Sequence, residues 1–372
     1  MKNQQNKNIL LTGGHAVTTA LAVIEELIRR NAEGKSVRIN WIGSKYLIEG
    51  SRLIGPEFSI FPELGVKTEH IISGRLQRKF SLWTIPSLLR IPFGFIHAFI
   101  LVKKIKPNVV LSFGGYSALP VVIVSWLLKI PIVIHDQTAT AGLANRVSGI
   151  FAKRICISRE TSRKYFDRDK TVITGNPVMT QICEIESKEE IGSPAVICIT
   201  CGSRGSRVIN SYIGKILNRL LTKYKVIHIT GGHDYQKYLR IKNELNKKLF
   251  GKYEIYSMMD PMHIDNIYKE ADIIISRAGA NTVSEIMISK RPSILIPIPW
   301  SYLNEQMENA LIAKENGIAE IIKQDNLTEK TLLQKVFYVE RNWKDMVDKV
   351  KDKKSLDVEA SVKIINVIEG FL

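Results

Sequence analysis

Apolar runs of three to six residues recur along the chain and alternate with amphipathic stretches. The clearest runs are Ile9–Leu11, Val109–Phe113, Pro131–Ile134, Ala195–Thr200 and Ile273–Ile275. Such runs are typical of strands that are buried on both faces of a parallel sheet. Helical patterns follow two of them, over Ala20–Arg30 and Val208–Leu221. The alternation predicts an α/β fold, and a length of 372 residues fits two domains.

Glycine-containing loops follow two of the predicted strands in the C-terminal half. Residues 277–281, with the sequence RAGAN, come after Ile273–Ile275, and residues 201–207, CGSRGSR, come after Ala195–Thr200. Each loop leads into a predicted helix, and the free N–H groups at a helix N-terminus attract phosphate and sugar oxygens. Neither loop has the G-x-G-x-x-G pattern of dinucleotide sites. The two loops together indicate a sugar-nucleotide site rather than an ATP or NAD site.

Side chains in and after these loops suit the parts of a sugar nucleotide. Ser203 offers a hydroxyl, and Arg204 or Arg207 offers positive charge for a diphosphate. Glu285 lies about one turn into the helix after the second loop, where its carboxylate can accept hydrogen bonds from two sugar hydroxyls. The alternative for Glu285 is a solvated carboxylate at an ordinary strand–turn–helix corner.

Polar residues also follow the predicted strands of the N-terminal half. Thr12–His15 follows the first strand, and Gly114–Tyr116 and His135–Gln137 follow two later strands. The carboxyl ends of parallel strands are where ligands bind in open sheets. His15, at the head of a predicted helix, is suited to take a proton from an attacking hydroxyl near neutral pH. The alternative is a histidine that caps the helix or faces water.

Seven short motifs carry a family resemblance. They are TGGH at 12–15, FGGY at 113–116, HDQTATAGLANR at 135–146, GNPV at 175–178, GSRGSRVIN at 202–210, SRAGANTVSEI at 276–286 and NEQMENA at 304–310. In this order they resemble the MurG-type transferases, which move GlcNAc from UDP-GlcNAc onto lipid I. The resemblance implies the GT-B fold, in which two Rossmann-like domains with parallel sheets face each other across a cleft. It implies an acceptor and membrane-side domain over 1–175, a UDP-sugar domain over 176–354, and a last helix, about 355–372, that packs back on the first domain.

The resemblance also assigns roles to residues. His15 is the general base for the 4-hydroxyl of MurNAc, Ser203 contacts the diphosphate, Glu285 the ribose, and Gln306 with Asn309 the GlcNAc. The backbone near Met259 contacts uracil, and Thr12, Gly13 and Gly14 form a loop beneath the donor sugar. The whole implied donor set is Thr12, Gly13, Gly14, Thr138, Ser203, Arg204, Gly205, Met259, Gly279, Ala280, Asn281, Thr282, Glu285, Gln306 and Asn309. The implied acceptor side is Gly114, Gly115, Tyr116, His135 and Gln137.

Three departures from the family pattern affect the donor. Leu10 and Leu11 replace a glycine pair before TGGH, which predicts a stiffer loop. In the motif that starts at His135, Asp136 replaces a glutamate, and Thr138 places a hydroxyl where the family has an amide. Met179 follows GNPV in place of an arginine, so Arg204 or Arg207 must compensate or donor affinity falls.

The net charge of +17 requires a partner or substrate of opposite sign. Basic residues at 75–79 precede the apolar stretch Leu82–Val102, and Lys103, Lys104 and Lys106 follow it. Prolines and charges interrupt the stretch, which predicts an interfacial patch on an anionic membrane surface rather than a spanning helix. The alternative is a buried helix of the first domain. No nucleic-acid-binding module is recognisable, so nucleic acid is not expected as a partner.

Cysteines and acidic pairs do not indicate a metal or another cofactor. Cys198 and Cys201 have no second pair, so packing is the expected role. Asp167-Arg-Asp169 lies in a charged segment rather than after a buried strand, and helix N-termini with arginines can offset the charge of UDP. No signal peptide opens the sequence, which predicts a peripheral protein on the cytoplasmic face of the membrane.

Together with these observations, the resemblance implies an inverting transferase that moves GlcNAc from UDP-GlcNAc to lipid I and gives lipid II, without an obligatory metal. One alternative is a related UDP-sugar transferase that acts on diacylglycerol or another lipid. The other is a noncatalytic binding module that retains the GT-B fold, for which Thr138 and Met179 are the only indications.

Overall fold

The computed structural model describes residues 7–14, 16–46, 54–74, 84–202 and 205–372, with the backbone alone for 84–89. The chain divides into two compact units. The N-terminal unit comprises Met1–Met179 and Leu356–Leu372, and the C-terminal unit comprises Thr180–Ser355. His15, Ser203 and Arg204, three of the predicted site residues, lie outside the described residues.

The N-terminal unit is built on a seven-stranded parallel sheet of order β3-β2-β1-β4-β5-β6-β7. Its strands are β1 Lys7–Gly13, β2 Val37–Gly43, β3 Lys67–His70, β4 Val109–Ser112, β5 Ile132–Asp136, β6 Arg154–Ile157 and β7 Thr171–Ile173. Its helices are α1 Val17–Ala32, α2 Glu57–Glu63, α3 Thr84–Ile105, α4 Ala118–Leu127, α5 Leu143–Phe151 and, from the end of the chain, α15 Ala360–Glu369. The central strands β4 and β5 are buried along their whole length, which explains why each begins with three consecutive apolar residues.

The C-terminal unit has a six-stranded parallel sheet of order β10-β9-β8-β11-β12-β13. Its strands are β8 Val196–Thr200, β9 Lys225–Ile229, β10 Tyr253–Tyr256, β11 Ile273–Ser276, β12 Ser293–Leu295 and β13 Ala319–Ile321. Its helices are α6 Thr180–Cys183, α7 Arg207–Lys223, α8 Tyr235–Glu244, α9 Lys247–Phe250, α10 Ile264–Glu270, α11 Ala280–Ser289, α12 Glu305–Glu315, α13 Glu329–Arg341 and α14 Trp343–Asp348. These orders, with helices between parallel strands, confirm the predicted α/β class.

Polar contacts hold the C-terminal segment on the N-terminal unit. Asp357 is 1% exposed, and its two carboxylate oxygens accept hydrogen bonds of 2.6 Å from the Arg159 guanidinium. The backbone N–H of Asn176 donates to the same carboxylate at 2.8 Å. Arg30 of α1 forms a 2.9 Å ion pair with Glu369 of α15. The segment therefore belongs to the core of this unit although it is remote in sequence.

Both sheets reverse their strand order at one point, between β1 and β4 in the N-terminal unit and between β8 and β11 in the C-terminal unit. In open α/β sheets, ligands bind outside the carboxyl ends of the strands at this switch point. The glycine loops predicted from sequence follow these four strands. The fold thus places them where each sheet is best suited to bind a ligand.

The structure corrects the prediction about Leu10 and Leu11. Both residues are fully buried inside β1, which extends to Gly13, so they do not belong to the following loop. Their side chains continue the apolar run from Ile9 and pack in the core on either side of the sheet. A change in loop stiffness therefore does not follow from these two leucines.

Candidate functional site

The loop after β8 is shaped by glycine and by a helix cap. Gly205 has a φ of +68°, and a Cβ at this position would overlap the carbonyl of Thr230. Ser206 caps α7, because its Oγ accepts a hydrogen bond from Ile209 N at 3.4 Å. Arg207, which was predicted as a possible diphosphate ligand, is exposed, and its guanidinium lies 3.1 Å from His233 Nδ1. The N-terminus of α7 therefore lies just after β8, at the carboxyl edge of the sheet.

Arg277, the residue after β11, connects this loop with two others. It is 8% exposed, and it donates to Ser206 Oγ at 2.9 Å and to the Ile296 carbonyl at 2.9 Å. It also donates to Gln324 Oε1 at 2.8 Å. One buried guanidinium thus holds the loops that follow β8, β12 and β13. The sequence analysis assigned Arg277 only to a turn, because its partners are distant in sequence.

Glu285 on α11 is a buried carboxylate with a hydroxyl partner. Its side chain is 9% exposed, and the Tyr268 hydroxyl donates to its Oε2 at 2.7 Å. Burial raises the pKa of Glu285 to about 7, and the hydrogen bond from Tyr268 opposes this effect. A solvated carboxylate, the alternative considered above, is thereby excluded. Tyr268 was not identified from sequence, where nothing distinguishes it from other aromatic residues of amphipathic helices.

Other predicted donor residues lie on the same edge of the C-terminal unit. Gly279 caps α11 with extended backbone and no side-chain cap, and Ala280, Asn281 and Thr282 form the first turn. On α12, Asn309 is 3% exposed and its Nδ2 donates to the Ala278 carbonyl at 3.1 Å.

Gln306 precedes Asn309 by one turn, and its Oε1 accepts from Ile298 N at 3.1 Å. These two amides therefore hold the loops after β11 and β12. Met259 is half-buried in the segment between β10 and α10.

In the N-terminal unit, the glycine loops after β1 and β4 pack backbone against backbone. Gly14 N donates to the Gly114 carbonyl at 2.8 Å. Gly114 and Gly115 have φ values of +79° and +91°, and a Cβ on Gly115 would lie 2.8 Å from the Gly14 backbone. Thr12 and Gly13 end the strand that leads to this contact. The predicted residues Gly13, Gly14, Gly114 and Gly115 are therefore brought together at the switch point.

Tyr116 and Gln137 follow β4 and β5, next to these glycine loops. The Tyr116 hydroxyl donates to Ser44 Oγ at 3.4 Å, and Gln137 Nε2 donates to the Phe113 carbonyl at 3.2 Å. Both side chains are half-buried.

The loop after β5 is organised by buried side chains. His135 is 0% exposed, its Nε2 lies 3.0 Å from the Gly175 carbonyl, and burial lowers its pKa to about 4. Asp136 accepts from Asn145 Nδ2 at 2.8 Å and from the Thr138 hydroxyl at 3.0 Å. His135 was expected on the acceptor side and Thr138 at the donor, but the first faces the interior and the second bonds within its own loop. Both residues therefore support this loop, and their contacts with acceptor and donor stay predictions.

Cysteines and acidic groups form no metal site in the described part of the chain, where no cluster of three or more potential metal-ligating side chains occurs. Burial raises the pKa of the Cys201 thiol to about 12 and that of Cys198 further still, as expected of packed thiols. Met179, at the position of the missing arginine, is 1% exposed.

Comparison with known proteins identifies the family. Residues 12–157 match the glycosyltransferase family 28 N-terminal domain, and residues 196–364 match its C-terminal domain. A UDP-N-acetylglucosamine–N-acetylmuramyl-(pentapeptide) pyrophosphoryl-undecaprenol N-acetylglucosamine transferase from Clostridium botulinum is 33% identical, over 90% of this chain and 92% of its own. The transferase of the same name from Clostridium tetani is 30% identical over 98% of both chains.

A solved structure supports the same fold. The crystal structure of Acinetobacter baumannii MurG superposes with a TM-score of 0.69, at 23% identity, and covers 98% of this chain and 99% of its own. The predicted GT-B fold is thereby confirmed. With both domain models matched in order and relatives above 30% identity over nearly the whole length, the chain belongs to glycosyltransferase family 28, as a GT-B enzyme of the MurG type.

Proposed function

We propose that this enzyme transfers GlcNAc from UDP-GlcNAc to the MurNAc 4-hydroxyl of lipid I, which gives lipid II. The observation that carries the proposal is the match to two relatives with this printed activity, at 30–33% identity over at least 90% of the chain. In the reaction, the acceptor oxygen bonds to the anomeric carbon while the bond from that carbon to the diphosphate oxygen breaks. The electron pair leaves with UDP, and the hydroxyl proton passes to a base.

The C-terminal unit supplies the donor site in this proposal. The ribose hydroxyls donate to the Glu285 carboxylate, and the diphosphate lies at the loop after β8, beside the N-terminus of α7. Support comes from the burial of Glu285 at the carboxyl edge of the sheet, where no protein cation neutralises it in the described residues. A carboxylate in that setting is suited to bind neutral hydroxyls.

The N-terminal unit supplies the acceptor side. The loops at Gly14 and Gly114–Gly115 lie at the switch point of its sheet. His15 directly follows Gly14, and we assign it as the base that receives the proton of the attacking hydroxyl. His15→Ala should retain UDP affinity and lose turnover, and unchanged turnover would exclude this role.

The test of the reaction is transfer of labelled GlcNAc from UDP-GlcNAc to lipid I in detergent, without added metal, by wild type and by Glu285→Ala. Labelled lipid II from wild type, and much less from the variant, supports both the reaction and the donor site. UDP binding without product favours another lipid acceptor, such as diacylglycerol, or a noncatalytic role. Activity that disappears with a chelator and returns with manganese would contradict the metal-independent mechanism.

An apolar surface on the N-terminal unit supports a peripheral membrane location. It is formed by exposed side chains of α3, α4 and α5: Phe93, Ile96, Phe99, Ile100, Trp126, Leu127, Leu143, Val147 and Ile150. The rings of Trp126 and Phe151 lie 5.1 Å apart, which connects α4 with α5. Exposed basic side chains on the same helices or just after them are Lys103, Lys129, Arg146 and Lys153. No described helix is both long and apolar enough to cross a membrane.

We propose that this apolar surface inserts into the headgroup region on the cytoplasmic face, with its basic side chains on anionic lipid. The alternative of a buried helix for the segment up to Val102 does not fit Phe93, which is 65% exposed. Leu127→Glu should reduce sedimentation with anionic liposomes, whereas Phe337→Glu, at an exposed position of α13, should not. Equal binding of both variants, or binding that is insensitive to salt and anionic lipid, would contradict the proposal.

A further inference from the structure

Two buried arginines lie at opposite edges of the C-terminal sheet. Arg277 is 8% exposed and follows β11 at the carboxyl edge, whereas Arg291 is 2% exposed and precedes β12 at the amino edge. Burial of a guanidinium is costly unless an opposite charge compensates it. The groups around each guanidinium therefore indicate whether the arginine only stabilises the fold or also contributes to ligand binding.

Arg291 has what a structural arginine requires within its own unit. Its Nε donates to the Tyr268 carbonyl at 2.8 Å, and its Nη1 donates to the Ser289 carbonyl at 2.6 Å. Burial lowers the pKa of Arg291 to about 10, and the negative charge of nearby Asp272 opposes this effect. The Asp272 carboxylate is ion-paired with Lys188 at 2.7 Å, yet it is near enough to Arg291 to favour its charged form.

Arg277 lacks such an anion. Its three close acceptors, Ser206 Oγ, the Ile296 carbonyl and Gln324 Oε1, are all neutral, at 2.8–2.9 Å. No carboxylate of the described residues lies within ion-pair distance of Arg277. Among the described residues, the group that opposes the lowering of the Arg277 pKa by burial is the Cys201 thiol, which is itself neutral at physiological pH because its pKa is about 12.

The uncompensated charge lies where the proposed diphosphate would bind. Ser206, the partner of Arg277, is the N-cap of α7 and the end of the loop after β8. A bound anion at that N-terminus would supply the missing negative charge, and the Arg277 bond to Ser206 would hold the loop for it. Arginine is suited to this task because its planar guanidinium stays charged when buried and holds several acceptors in fixed directions.

We propose that Arg277 is a positioning residue for the donor diphosphate, which it serves by fixing the loop after β8 through Ser206 and by contributing positive charge at the carboxyl edge of the sheet. The inference rests on the proposed function of the C-terminal unit. It gives the enzyme a protein cation that favours departure of UDP, independently of Arg204 and Arg207.

The test compares the affinities of UDP and uridine by calorimetry, because uridine shares the base and ribose but has no phosphate. Arg277→Gln should weaken UDP binding by about 10–100-fold, the range for loss of a charged hydrogen-bonding group. Uridine binding should change by less than about threefold, since uridine has no phosphate on which the charge of Arg277 could act. Arg277→Lys should recover part of the UDP affinity, because it restores the charge but not the planar set of bonds.

Arg291→Gln is the matched control, since it removes an equally buried arginine from the opposite edge. It should lower stability toward urea and leave the ratio of UDP to uridine affinity unchanged. If Arg277→Gln does not fold, Ser206→Ala is tested instead. It should still weaken UDP binding more than uridine binding. Equal losses for UDP and uridine, or the same change of ratio in Arg291→Gln, would overturn the inference. Wild type that binds UDP selectively but does not transfer GlcNAc to lipid I would contradict the proposed reaction and not the role of Arg277.

Discussion

Replacement of Glu285 by glutamine should make the protein more stable and its nucleoside binding weaker. Burial raises the Glu285 pKa from an ordinary value of 4.5 to about 7. Between these two values the folded protein holds a proton that the unfolded chain has already released, so stability falls as the pH rises through this window. The difference corresponds to a cost of about 3 kcal/mol above pH 7, at about 1.4 kcal/mol per pH unit.

Glutamine removes this cost because it cannot ionise, and its amide can still accept the hydrogen bond from Tyr268. Urea unfolding of Glu285→Gln should therefore show a gain of up to about 3 kcal/mol at pH 8 and little change at pH 4. Uridine affinity should fall, since an amide oxygen is a weaker acceptor for ribose hydroxyls than a carboxylate. In wild type, uridine should bind about tenfold more weakly at pH 6 than at pH 8, because only the ionised carboxylate accepts both hydroxyls.

Glu57 in the N-terminal unit provides the control. It is 4% exposed, and burial raises its pKa as well. Glu57→Gln should also increase stability at pH 8, but without an effect on uridine affinity. The reasoning about Glu285 fails if Glu285→Gln is less stable than wild type at pH 8, or if it keeps the wild-type uridine affinity and pH profile.

Further substitutions test the supporting contacts. Tyr268→Phe removes the hydrogen bond that lowers the Glu285 pKa, so the midpoint of the uridine pH profile should move to higher pH; an unchanged midpoint would contradict this. Gly115→Ala forces a Cβ toward Gly14 at a φ of +91° and should cost more than about 1 kcal/mol and reduce lipid I turnover, with UDP affinity retained. Asp357→Ala leaves Arg159 without its buried partner and should lower the free energy of unfolding by about 3–5 kcal/mol, measured in urea.

The sequence was informative about the sheets because their central strands are buried on both faces. The strand Val109–Ser112 begins with three consecutive apolar residues, so its position is evident without any knowledge of its neighbours. The glycine loops were equally evident, since positive φ values and close backbone approach require glycine. At Leu10 and Leu11 the apolar run correctly predicted a strand, whereas the comparison with the family pattern wrongly suggested an effect on the following loop.

Sequence patterns did not predict which side chains form hydrogen bonds or ion pairs with each other. Gln324 lies 47 residues from Arg277, and Asp357 lies 198 residues from Arg159, so no local spacing connects either pair. The sequence also did not predict which apolar residues of α4 are exposed to solvent. Trp126 and Leu127 have the composition of a core helix, yet they are 50% and 64% exposed. Only the packing of α4 between its neighbours determines which of its faces remains uncovered.

Both units bury charged groups, and two of them, Arg277 and Glu285, follow the same strand of the C-terminal sheet. In the N-terminal unit, Asp136 accepts four hydrogen bonds from Thr138, Gly142 and Asn145, and Asp357 is paired with Arg159. Glu57 in the same unit is buried, and burial raises its pKa. In the C-terminal unit, Arg277 has only neutral acceptors and Glu285 only a hydroxyl. Charges that a protein buries without neutralising reduce its stability, so their retention requires another advantage. A diphosphate and a pair of ribose hydroxyls would provide that advantage, one for each charge, which supports the proposed donor site at the carboxyl edge of the C-terminal sheet.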